Sequence, residues 1–140
     1  MYDWIIEATL FVFSFYSGPV SPEFQQSYDI NVDAHKITVE TTNYFGERKD
    51  SLIINEEIFN NIKECLIKQE ISKNTYKDVM PVGGKTENFL AYKDDKRLFW
   101  GTRLGSRAGT LNMNGNLTES LEQCVPNFSD FLRNAFAKPR

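Results

Sequence analysis

Histidine occurs once in these 140 residues, at position 35, and cysteine twice, at 65 and 124. One imidazole and two distant thiols do not complete a usual Cys/His zinc set, and neither cysteine belongs to a Cys-x-x-Cys pair. No Gly-x-Ser-x-Gly elbow and no Walker-type loop is present. His35 would need a nucleophile and an orienting group within reach to act as a base. Within "DAHK", between two strand patterns, it reads as a turn residue. Long apolar runs are also scarce. The stretch "IIEATLFVFSFYSG" is too short to span a bilayer, and Asp3 and Glu7 stand where a signal peptide has its positive start. The expectation is a cytoplasmic chain with no membrane contact. In that setting Cys65 and Cys124 are reduced and buried, and the Asn-x-Ser/Thr matches at Asn116 and Asn127 have no consequence. Neither a cofactor nor a catalytic set is expected.

An excess of positive charge is missing as well. The formal net charge is −3 and the pI near 5.2, which disfavours general nucleic-acid binding. The deficit is uneven. Residues 1–70 carry 12 acidic and 5 basic side chains, whereas residues 71–140 carry 7 acidic and 11 basic ones. Two solvated faces account for this, and so does an acidic surface built to meet a basic partner.

Apolar residues are plentiful, at 41%, with eleven Phe and six Tyr. That fills the core of one domain spanning 1–140. Alternation predicts strands over Glu7–Tyr16, Gln26–Val32 and Lys36 to about Tyr44, a turn at "FGERKD", and a short strand "SLII". Asn55 is a plausible N-cap. After it, Ile58, Phe59, Ile62, Cys65 and Leu66 fall at helical spacing as far as Lys68. "SKNTYKDVMPVGGKTEN" reads as a polar connection. Strand patterns return in "FLAYK", "RLFWGTRL" and "GTLNM". A closing helical stretch carries Leu117, Leu121, Cys124 and Val125, with a break at Pro126. Phe128, Phe131, Leu132, Ala135 and Phe136 continue its apolar stripe.

The segments "SLIINEEIFNNIKECL" and "TLNMNGNLTESLEQCV" align at a shift of 59 residues, matching Leu52 with Leu111, Asn55 with Asn114 and Cys65 with Cys124. The pattern predicts an α+β fold of two antiparallel sheet-plus-helix repeats, roughly 1–70 and 71–140. This order, strands then helix, twice, resembles the Whirly single-stranded nucleic-acid-binding fold. The resemblance implies topology only, since that family's "KGKAAL" signature does not occur here.

Three features carry possible chemistry. The glycine-bearing loops "VGGK" (82–85) and "GSRAG" (105–109) read as turns, because neither joins a strand directly to a helix as a phosphate cradle requires. A small ligand-binding domain would have its site beside them, near His35 or Lys85. Arg97, Arg103 and Arg107 lie near Phe99 and Trp100. They read either as solvated cations on a strand with core aromatics or as a single-strand binding surface. The third feature is "SYDINVDAHKITVETTNY". A two-residue turn at Ala34–His35 pairs Val32 with Ile37, Ile30 with Val39 and Tyr28 with Thr41, putting every apolar residue on one face. The same register sets Asp29 opposite Glu40, a mildly destabilising like-charge pair. Screening by water and a nearby lysine explains it. So does a face completed by a basic partner, with Asp29, Asn31, Glu40, Thr42 and Tyr44 as the contact residues.

A small, acidic α+β chain of this kind is similar to bacterial immunity proteins of contact-dependent-inhibition and polymorphic toxin systems. That resemblance implies a protein partner, a cognate secreted toxin that is a nuclease (RNase), neutralised by covering its basic cleft. The alternative is a single-stranded nucleic-acid-binding module using the basic second half.

Overall fold

The structure is a computed structural model describing residues 2–17, 26–73, 86–104, 108–114 and 118–136. Its framework is one antiparallel sheet. The strands are β1 (Leu10–Tyr16), β2 (Gln26–Val32), β3 (Lys36–Asn43), β4 (Gly46–Ile53), β6 (Thr86–Lys93), β7 (Lys96–Leu104) and β8 (Ala108–Gly109), in the order β4-β3-β2-β1-β6-β7-β8. A separate small ladder pairs β5 (Ser72–Lys73) with β9 (Leu111–Asn112). The helices are α1 (Asp3–Glu7), α2 (Glu56–Lys68), α3 (Glu119–Cys124) and α4 (Phe128–Asn134). The chain is therefore α+β. The two halves do not build a sheet each, because β1 pairs with β2 on one side and with β6 on the other.

Strand β1 is central because "LFVFSFY" is aromatic and branched, and suits a position with ladders on both edges. Phe11 and Phe13 point to the helical side and are fully buried. Phe89 of β6 packs against both, with ring centroids 5.9 and 5.1 Å away, and Phe59 of α2 closes on Phe11 at 5.7 Å. Ile30, Val32, Ile37 and Val39 extend this layer, and Ile62, Leu66, Leu121 and Phe128 cover it from the helices. All four helices pack on this one face. The result is two layers over one core.

Several local expectations hold. The hairpin register is the one read from alternation, with Val32 opposite Ile37 and Asp29 opposite Glu40. The Asp33 carboxylate accepts from the His35 and Lys36 amides and shapes the turn. The Asn55 side chain accepts from the Ile58 amide at 2.9 Å, capping α2. Val125, forced extended ahead of Pro126, separates α3 from α4. Lys63 of α2 reaches the Ile6 carbonyl at 2.6 Å across the Phe59 ring, and burial there holds its ammonium below the usual lysine range.

Others need correction. Residues Asp3–Glu7 form a short helix ahead of the first strand, which begins at Leu10. Trp4 stacks flat on Phe99 at 4.3 Å, and this anchors the helix. "ERKDS" is not a turn but part of β4, with the turn confined to Tyr44–Phe45 before Gly46, whose φ of +129° suits only glycine. The cysteines are not free thiols. Cys65 and Cys124 form a disulfide, because α2 and α3 pack together and bring their Cα atoms to 6.6 Å. Cys65 is buried, but Cys124 is only half-buried. Leu117, the "VGGK" loop and Arg107 lie outside the described residues.

Candidate functional site

Among the described residues no helix lies on the second face of the sheet. Alternation along each strand sends one set of side chains there, and the ladders align those sets into rows. One row reads Lys49, Glu40, Asp29, Ser14, Asn88, Thr102 from β4 across to β7. The row toward the β3–β4 turn reads Glu47, Thr42, Ser27, Tyr16, Thr86. The row on the other side reads Ser51, Thr38, Asn31, Val12, Leu90, Trp100. Members of the first two rows, among them Asp29, Glu40, Glu47, Lys49, Tyr16 and Asn88, line a hollow of about 570 Å³, together with Phe15, Tyr28, Thr41 and Arg48 of the alternate phase.

The question raised by the facing carboxylates has a partial answer. Lys49 stands on the far side of Glu40, with Nζ 3.6 Å from Oε1. Both partners are well exposed, so the pair contributes about 0–1 kcal/mol. On its other side Asp29 meets Ser14. Among the described residues no cation lies within ion-pair distance of Asp29.

Of the five residues expected at an interface, Asp29, Glu40 and Thr42 share the hollow, and Asn31 sits one row away on the same face. Tyr44 is at the hairpin tip, 61% exposed, edge-on at 5.3 Å to Phe45, which is 47% exposed. Both rings keep about half or more of their surface in solvent. Lys49, Glu47, Ser14, Asn88 and Tyr16 were missed. Ser14 carried a signal, as the one small polar side chain in the solvent phase of "LFVFSFY". Glu47 and Lys49 carried none that alternation alone reveals, because both phases of "GERKDS" are polar.

The arginines part company. Arg103 lies on the core side, where Nη2 and Nε both reach Glu87 Oε1, at 2.8 and 3.1 Å. It is not available to a strand of nucleic acid on the open face. Arg97 lies over the Trp100 ring, 5.0 Å from its centroid, on the open face. His35 is exposed at the β2–β3 turn, at the opposite end of β3 from Tyr44. Among the described residues no group of three His, Cys, Asp or Glu side chains is placed to hold a metal ion, and no helix is long and apolar enough to cross a membrane.

No protein-family model matches the chain, and no curated protein or solved structure matches it.

Proposed function

We propose that this chain is an immunity-type inhibitor that docks its open sheet face onto the basic cleft of a secreted toxin, a nuclease. The observation that carries the reading is the hollow lined by Asp29, Glu40 and Glu47, with no cation among the described residues within ion-pair distance of Asp29 and the aromatics Tyr16, Tyr44 and Phe45 exposed at the same end. A nuclease cleft is built to hold phosphates. Carboxylates at fixed spacing on a rigid sheet occupy the same positive field, and uncovered aromatics supply the apolar anchors that dominate protein interfaces. Exposed carboxylates act chiefly on association rate, so binding should slow steeply as salt rises.

The two-repeat, Whirly-like reading belongs to the same proposal. It is supported by the meeting of Cys65 with Cys124, 59 residues apart and matched in the aligned segments, at the packed α2–α3 pair. Superposing residues 1–70 on 71–140 by strand order and helix placement tests it. Cytoplasmic residence is likewise proposed, with the condition that cytosolic reductants act on the disulfide.

The Arg97–Trp100 pair supports a second reading, a single-stranded nucleic-acid surface. One experiment separates the two. Asp29→Asn with Glu40→Gln should leave the free protein's unfolding midpoint within about 0.5 kcal/mol of the parent. The same change should weaken binding to the cognate nuclease-toxin domain by at least about tenfold at low salt. Unchanged affinity for that domain sinks the immunity reading. Salt-sensitive binding of an oligonucleotide, strengthened by the double substitution, favours the second reading.

A further inference from the structure

Helices α3 and α4 form a bracket across the helical face, and its two ends are held differently. At the first end Cys124, the last residue of α3, is bonded to Cys65 on the buried side of α2, and the Ser120 hydroxyl bonds the Gln69 side chain just beyond α2. At the second end the carbonyls that close α4 accept from the sheet. Thr41 Oγ1 donates to the Ala135 carbonyl at 2.6 Å, and Arg48 Nη1 to the Asn134 carbonyl at 2.9 Å. Thr41 and Arg48 belong to β3 and β4, the strands that carry Glu40 and Lys49 on their other face. The bracket thus backs the wall of the hollow. Its helices, of six and seven residues, are too short to hold their shape unaided.

We propose that the Cys65–Cys124 bond is a reversible redox latch. When made, it clamps α3 to α2 and holds α4 behind β3 and β4. When broken, it lets α3–α4 lift while the sheet stays folded. The half-buried Cys124 gives a reductant its approach, whereas Cys65 is shielded. The reductant is a dithiol. Its first thiolate attacks the Cys124 sulfur, the S–S bond breaks, and Cys65 leaves and takes up a proton. Its second thiolate then displaces Cys124, which also leaves as a thiol. The reductant becomes a disulfide, so two electrons and two protons pass to the protein. The sheet is expected to survive because the centre of its core, built on Phe11, Phe13, Ile30 and Phe89, lies on β1, β2 and β6, whereas the bonds that close α4 run to β3 and β4.

The test does not depend on any toxin. Full-length oxidised chain is treated with dithiothreitol without denaturant, thiols are counted, and amide hydrogen exchange is followed. Both thiols should appear. Protection over residues 119–134 should fall by about tenfold or more, while amides of β1, β2 and β6 keep theirs, and glutathione disulfide should reverse the change. Cys65→Ser with Cys124→Ser should exchange like the reduced chain under both conditions. Should that variant fail to fold, Cys124→Ser alone keeps the buried Cys65 and gives the same readout. The latch is overturned if the bond resists dithiothreitol until the chain is unfolded, or if reduction strips protection from the whole sheet. Equal protection in both redox states overturns it too, as do two thiols that oxidant does not join.

Discussion

Asp29 and Glu40 are alike in chemistry and adjacent in space, yet only Glu40 has Lys49 beside it. The difference comes from the neighbouring strand, not from either carboxylate. Arg103 and Glu87 illustrate the opposite environment, with side chains only 13% and 10% exposed. A buried pair stripped of one member leaves a charge without a partner. Arg103→Ala should therefore cost about 3–5 kcal/mol in urea unfolding, whereas replacing Glu87 and Arg103 together by Leu and Met should cost far less. Equal losses in the two variants would contradict this. Tyr28 stacks on Phe15 at 5.0 Å, also on the core side. Burial first, and the Glu87 charge second, push its phenol well above the ordinary tyrosine range, against a hydrogen bond with Thr118 that pulls the other way. A group whose folded pKa is raised holds its proton more tightly when folded. Its contribution is complete below about pH 10 and is lost as pH rises beyond it. Tyr28→Phe should thus flatten the alkaline fall in stability above about pH 10, measured as urea midpoints. An unchanged slope would show that another group governs that limb.

Strand β4 shows how an element escapes pattern reading. Its run of Glu47, Arg48, Lys49 and Asp50 has no apolar period because it is a sheet edge, where charge guards the open ladder against foreign strands. The helix α2 was legible for the converse reason. It buries one stripe, Phe59, Ile62, Cys65 and Leu66, and carries an Asn cap with Glu56 and Glu57 in its first turn. Strand β7 meets β9 at Gly101, where an added Cβ would come 3.1 Å from the Leu111 Cβ and 3.2 Å from its Cα. Backbone on the receiving side cannot rotate away. Gly101→Ala should cost about 1–3 kcal/mol, read from denaturant midpoints. A neutral result would mean that β9 shifts freely.

The whole molecule rests on the seam between β1 and β6, which joins the first 70 residues to the rest. Residues 1–70 produced alone would leave one edge of β1 without a ladder and expose Phe11 and Phe13 where Phe89 covers them. Such a fragment should show no cooperative urea transition by circular dichroism, while the full chain shows one. A sigmoidal transition in the fragment would mean that the first half folds independently. The described helices all lie on one side of the sheet, and on the other side Trp100 is exposed beside the carboxylate row.

Local pattern determined the hairpin register, the Asn55 cap, the span of α2 and the break at Pro126. Each depends on contacts within a few residues, or on a period of two or 3.6 that one buried face imposes. Tertiary structure decided the rest. Long-range pairing chose β6 as the second neighbour of β1 and merged both halves into one sheet. It set Lys49 next to Glu40, while among the described residues no cation reaches Asp29. Helix packing joined Cys65 to Cys124 across 59 residues. None of these leaves a periodic trace in the chain, because a ladder partner or a packed helix is specified by the shape of the whole core and not by the spacing of its own residues.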